Sequence, residues 1–172
     1  VVIAPTEPAA MSKWCNELKT IGIPYLYDAG MQIPRLSSQE LVEGILGARI
    51  AIFNEYEFEM MNKKTGLNAD DILNTVEILV ITKGVKGSVL MSGNEKVHVP
   101  AATPKRIIDP TGAGDAYRAG LLKGYFEEAG LETMGRYASI SAVYAVEHKG
   151  ATEHCYTIDE FYNRYIENFG GK

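Results

Sequence analysis

Cysteine is scarce in this chain: Cys15 and Cys155 are its only two, far apart and without metal-ligand spacing. They read as reduced, structural thiols rather than a disulfide framework or a zinc site, which suits a cytoplasmic protein. Long apolar runs are missing as well. Nothing approaches the ~20 residues that a membrane-spanning helix needs. The opening VVIAPTEPAAM has neither the basic start nor the long apolar stretch of a secretory leader. There is no Lys/Arg cluster, and the formal net charge is −5, so no nucleic-acid-binding surface is expected. His98, His148 and His154 do not form a metal set, and structural roles are expected for all of them. No G-x-G-x-x-G follows the first apolar run, where a dinucleotide-binding oxidoreductase would need it.

What is present alternates. Apolar runs at Val1–Ala4, Pro24–Asp28, Arg49–Phe53 and Ile78–Thr82 predict strands. Between and after them the spacing predicts helices over about 8–21, 38–46, 55–64 and 69–75, with Ser37 or Ser38 opening the second. Gly87–Met91 and Lys96–Val99, joined by Ser92-Gly93-Asn94-Glu95, predict an antiparallel hairpin at one edge of the sheet. Helices are expected again at about 113–129, 133–147 and 158–167. Strands alternating with helices imply an α/β fold: a mostly parallel sheet covered on both faces. No repeat, low-complexity tract or linker interrupts it, so residues 1–172 read as one domain.

The most informative stretch is Asp109-Pro-Thr-Gly-Ala-Gly-Asp115-Ala-Tyr-Arg-Ala-Gly120. From Ala116 the spacing is helical, with Tyr117, Leu121, Leu122, Tyr125 and Phe126 on an apolar face. A glycine-rich turn opening directly into a helix leaves backbone N–H groups unpaired at the positive end of the helix dipole. That makes a site for an anion such as phosphate. Asp115, in the first helical turn, could take a proton from a hydroxyl held beside that anion. An anion cradle next to a base is the minimum apparatus for moving a phosphoryl group onto an alcohol.

The same stretch closely resembles the C-terminal signature of the PfkB, or ribokinase-like, family of sugar and nucleoside kinases, roughly D-x-x-G-A-G-D-x-F-x-A-G. It departs from that pattern at Tyr117, which stands for Phe. The resemblance covers essentially the whole chain, but only the nucleotide-binding, C-terminal portion of such kinases. Their Gly-Gly signature, most of their sugar-contacting residues and their small β-lid are not visible here. The chain is therefore expected to be the C-terminal part of a longer kinase or a truncated form. The resemblance implies a ribokinase-like, Rossmann-like sheet, ATP and Mg²⁺ as cofactors, and a sugar or nucleoside as acceptor. It also allows a homodimer formed through the lid.

Three further motifs acquire meaning beside that signature. Asn54-Glu-Tyr-Glu57 follows the strand ending at Phe53 and resembles the family's N-x-x-E motif, whose acid meets Mg²⁺ and phosphate through water. Read from the residues alone, Asn54 is equally a helix N-cap with acids near the positive dipole end. Glu55 and Glu59 are expected to be solvated. Thr82-Lys-Gly84-Val-Lys-Gly87 resembles the T-x-G-x-x-G stretch that lines the ATP site, and Ser139 matches the position of the adenine pocket. Asp109, with the Thr111 carbonyl and the turn at Gly150, matches a monovalent-cation site that admits K⁺. The alternative is that Asp109 caps the turn before Pro110. Finally, Asp28-Ala-Gly30-Met-Gln32 resembles the D-P-G-Q-Q stretch of bacterial adenosine-kinase-like members, a tilt toward a nucleoside or ribose-type acceptor.

The expected activity is ATP-dependent phosphorylation of a hydroxyl on a sugar or nucleoside. Asp115 serves as base, and the N–H groups of Gly112, Ala113 and Gly114 serve as the anion hole. The alternative is a nucleotide-binding module derived from such a kinase that catalyses nothing. Asp115 speaks against it, since binding alone needs no base.

Overall fold

Four apolar runs become parallel neighbours because a helix connects each to the next. In the computed structural model, which describes residues 1–170, the first strand is β1 (Val2–Ile3). It leads through α1 (Pro8–Thr20) to β2 (Leu26–Tyr27). Then come α2 (Ser38–Leu46), β3 (Ile50–Asn54) and α3 (Glu55–Thr65), followed by α4 (Ala69–Leu73) and β4 (Ile78–Thr82). β1 pairs parallel with β2, β2 with β3 and β3 with β4, Asn54 lying opposite Thr82 at the carboxyl end. β5 (Ser88–Ser92) and β6 (Glu95–Val99) complete a six-stranded sheet in sequence order. Their connections are too short for a crossover, so this edge is antiparallel. The mostly parallel α/β architecture expected from the sequence is the one observed.

Local signals account for the helix starts. Pro8 sits in the first turn of α1, and the Glu7 carboxylate accepts from Ala10 N–H. Ser37, rather than Ser38, caps α2 in a reciprocal box with Glu40.

The chain gathers into two compact units. The first holds residues 1–83 with 89–96, and the second holds 84–88 with the residues from 97 onward. In the first unit, Tyr27, Phe53 and Leu79 from the strands meet Met11, Leu41, Ile45, Met61 and Ile72 from the helices in one buried cluster. A parallel sheet covered on both faces explains why β3 and β4 are nearly continuous apolar sequence.

The second unit is built on α5 (Ala113–Phe126), α6 (Leu131–Val146) and α7 (Ile158–Phe169). Gly120 decides how α5 and α6 meet: a Cβ there would lie 2.4 Å from the Tyr137 carbonyl oxygen and 2.6 Å from Ser141 Oγ. The buried stripe of α5 is thus Ala116, Tyr117, Gly120, Leu121 and Gly124. Phe126, expected on that face, is 77% exposed. α7 packs Phe161 edge-on against Tyr137, centroids 5.3 Å apart. It also sends Arg164 inward to Glu147, 2.5 Å away, both side chains buried. Glu147 also accepts from the Lys105 N–H, and Arg164 donates to the Thr103 carbonyl at 3.0 Å. No helix among the described residues is long and apolar enough to cross a membrane.

Candidate active site

In the first unit, the carboxyl ends of β3 and β4 carry polar residues side by side. Asn54 ends β3 and caps α3: its Oδ1 accepts from Glu57 N–H at 2.8 Å, and Glu57 Oε2 accepts from Asn54 N–H at 2.8 Å. The N-cap reading of Asn54 is therefore realised, and it leaves Glu57 one carboxylate oxygen outside the box. Lys83 pairs with Glu55 at 3.2 Å, so Glu55 is not merely solvated. Thr82, half-buried, makes a long 3.4 Å hydrogen bond from Oγ1 to the Phe53 carbonyl.

In the second unit, the turn at 109–112 delivers the chain into α5. Gly112 is the N-cap residue, with φ +82°, and a Cβ there would lie 2.7 Å from Ala151 Cα. Both the left-handed backbone and the close approach of the 150–151 loop require glycine. Asp109 holds the turn and that loop together, its Oδ1 accepting from Thr111 N–H and its Oδ2 from Gly150 N–H, each at 2.9 Å. Hydrogen bonding from the Thr111 side chain, then from the Gly150 and Thr111 N–H groups, lowers the Asp109 pKa to about 2.

The three backbone donors of the expected anion hole are not equivalent. Ala113 N–H donates to the Pro110 carbonyl at 3.2 Å, closing the turn. Gly112 and Gly114 N–H meet no acceptor among the described residues. Gly114 also has nothing within 4 Å of the point where a Cβ would sit. Asp115 follows in the first turn of α5, its side chain 70% exposed, with Oδ1 paired to Arg118. An open pair of helix-start donors beside an exposed carboxylate can bind an anion and accept a proton next to it.

The remaining sequence-derived site residues have structural duties. Gly84 and Gly87 both take positive φ, flanking a turn of 3₁₀ helix; a Cβ on Gly87 would lie 2.0 Å from the Val99 carbonyl oxygen. Ser139 is buried and its Oγ accepts from Ala102 N–H at 2.7 Å, fastening the segment after β6 to α6. His148 has a ring nitrogen 2.8 Å from the Tyr144 carbonyl. Among the described residues no group of His, Cys, Asp and Glu could by itself hold a metal ion. Sequence reasoning passed over two contacts: Arg118 with Asp115, and the Tyr117 hydroxyl with Ser88 Oγ. The i, i+3 spacing of Arg118 was the available signal for the first; the second joins residues distant in sequence.

A mostly parallel sheet with an antiparallel edge, flanked by helices, is the fold of ribokinase-like kinases. The model of the pfkB family of carbohydrate kinases matches residues 2–158, and the chain belongs to that family. A nucleoside kinase of Methanocaldococcus jannaschii is 36% identical over 138 residues, covering 80% of this chain and 46% of that protein. Among solved structures, Burkholderia thailandensis nucleoside kinase in complex with inosine superposes with a TM-score of 0.95 at 32% identity, over 99% of this chain and 57% of that one. The same kinase has also been solved in complex with ADP-inosine. The structure of the Methanocaldococcus jannaschii nucleoside kinase gives a TM-score of 0.92 at 33% identity, over 98% of this chain and 56% of that one. The chain spans about half the length of the relatives it matches.

Proposed function

We propose that this chain is the nucleotide-binding portion of an ATP-dependent kinase that phosphorylates a hydroxyl of a nucleoside or sugar. The observation that carries the reading is the start of α5, where two unbonded N–H groups, at Gly112 and Gly114, adjoin the exposed carboxylate of Asp115. In this reading Asp115 takes the acceptor hydroxyl's proton. The two N–H groups stabilise charge on the transferring phosphoryl group, and Ala113 fixes the turn that aims them. Thr82, Gly84, Gly87 and Ser139 are carried over as nucleotide-binding residues by resemblance to the family. Nucleoside kinases among the relatives, and the inosine complex of one of them, favour a nucleoside acceptor.

The oxygen outside the Asn54–Glu57 capping box suits Mg²⁺ held through water, since Mg²⁺ keeps several waters and takes few carboxylates. When bound, the ion supplies charge neutralisation to the phosphates. Asp109, ionised and oriented by Thr111 and Gly150, fits an all-oxygen site for K⁺ beneath the turn. The non-catalytic alternative needs no base at Asp115.

Titration with Mg-ATP by calorimetry, on the parent and on Gly114→Val, tests the reading. A valine side chain enters open space, so the fold tolerates it while the cradle is filled. Binding by the parent alone is expected. Equal binding by both removes the nucleotide from this turn.

A further inference from the structure

Arg118 and Asp115 form an ion pair of unequal partners. Both lie on one face of α5, three residues apart, and the guanidinium Nη2 meets Asp115 Oδ1. The Arg118 side chain is only 11% exposed, whereas that of Asp115 is 70% exposed. Ion pairs between two mobile surface groups hold neither in place. Here the cation is packed along its stem and the anion reaches into solvent. Covered packing fixes the holder, and the holder fixes the reagent. Asp115 Oδ2 has no hydrogen bond among the described residues, so it is the oxygen left with a lone pair to offer.

We propose that Arg118 is a positioning residue for the phosphoryl transfer: by holding Oδ1 it presents Oδ2 to the acceptor hydroxyl. The inference rests on Asp115 being the base. In the step it serves, the hydroxyl proton passes to Oδ2 and the hydroxyl oxygen forms the new O–P bond. The bond from the γ-phosphorus to the β,γ-bridging oxygen breaks, and ADP leaves with the electron pair. An exposed carboxylate without its anchor samples several rotamers, and only some of them reach the proton.

The test is steady-state kinetics of the full-length protein with Mg-ATP and whichever of inosine, cytidine and ribose the wild type phosphorylates fastest. Arg118→Gln, Arg118→Lys, Asp115→Asn and the Gln/Asn double variant are compared. Arg118→Gln is expected to lower kcat about tenfold, with KM for ATP and the thermal midpoint nearly unchanged, and Arg118→Lys to recover most of the loss. In the Asp115→Asn background, Arg118→Gln should do nothing further, because its effect passes through the carboxylate. A kcat for Arg118→Gln within twofold of wild type overturns the proposal, as does an undiminished loss in the double variant. Near-wild-type turnover by Asp115→Asn overturns the base assignment itself, whatever Arg118 does. A dead Asp115→Asn beside a healthy Arg118→Gln sinks only the positioning role.

Discussion

Tyr117 donates its hydroxyl to Ser88 Oγ across 2.7 Å, both residues buried in the second unit. The family pattern carries phenylalanine at this position, so the hydroxyl is an addition whose partner starts β5. Burial pushes the Tyr117 pKa up to about 12, with the Ser88 hydrogen bond opposing in part. Tyr117→Phe strands a buried serine hydroxyl and is expected to cost about 1–2 kcal/mol. Adding Ser88→Ala removes the stranded group, so the double variant should be more stable than the two single losses added together. Thermal melts of the four proteins decide it; strict additivity would mean that the pairing contributes nothing.

Glu57 has two assignments that one substitution separates. Glu57→Gln keeps a side-chain oxygen for the Asn54 N–H, so the cap survives and stability should change by less than about 1 kcal/mol. The charge is gone, and the Mg²⁺ concentration for half-maximal turnover should rise about tenfold or more, as expected for loss of an outer-sphere partner. Glu57→Ala should show both losses. An unchanged Mg²⁺ dependence in Glu57→Gln would leave the residue as a cap and nothing else.

Asp109 predicts an acid limb of stability. Its pKa is lowered from 3.8 to about 2 by hydrogen bonds from Thr111 and Gly150, so the unfolded chain takes up this proton before the folded one does. The stabilisation is present above about pH 4 and is lost as pH falls through about 2. Asp109→Asn, which cannot ionise, should flatten that part of the profile. Melting temperatures from pH 5 to pH 2 for the two proteins provide the comparison; parallel curves would mean that the turn does not depend on the carboxylate.

Sequence was most legible where local chemistry decides structure. The ends of α2 follow from Ser37 and the glycine after Leu46, and β4 from an apolar run rich in β-branched residues. The start of α5 follows from the glycines before it. Long-range contact hid the rest. Nothing in the spacing of α5 says that Gly120 lets Tyr137 come close, or that Phe126 lies in solvent. Ser139 reads as a pocket residue from its place in the pattern, yet its hydroxyl serves the Ala102 N–H, 37 residues away in sequence. The signature marks the turn at which the anion cradle is proposed. Which of its N–H groups remained open depended on how the turn closed on Pro110.

The similarity that defines the family stops at residue 158, where α7 begins. A boundary drawn by resemblance would therefore discard that helix, although the preceding segment leans on it. Arg164 answers the buried charge of Glu147 and the Thr103 carbonyl, and Asn168 accepts from the Thr103 N–H at 2.7 Å. Cutting at 158 would leave a desolvated carboxylate without its counter-charge and both backbone polar groups of Thr103 unanswered. What is dispensable for recognising the family is not dispensable for folding it.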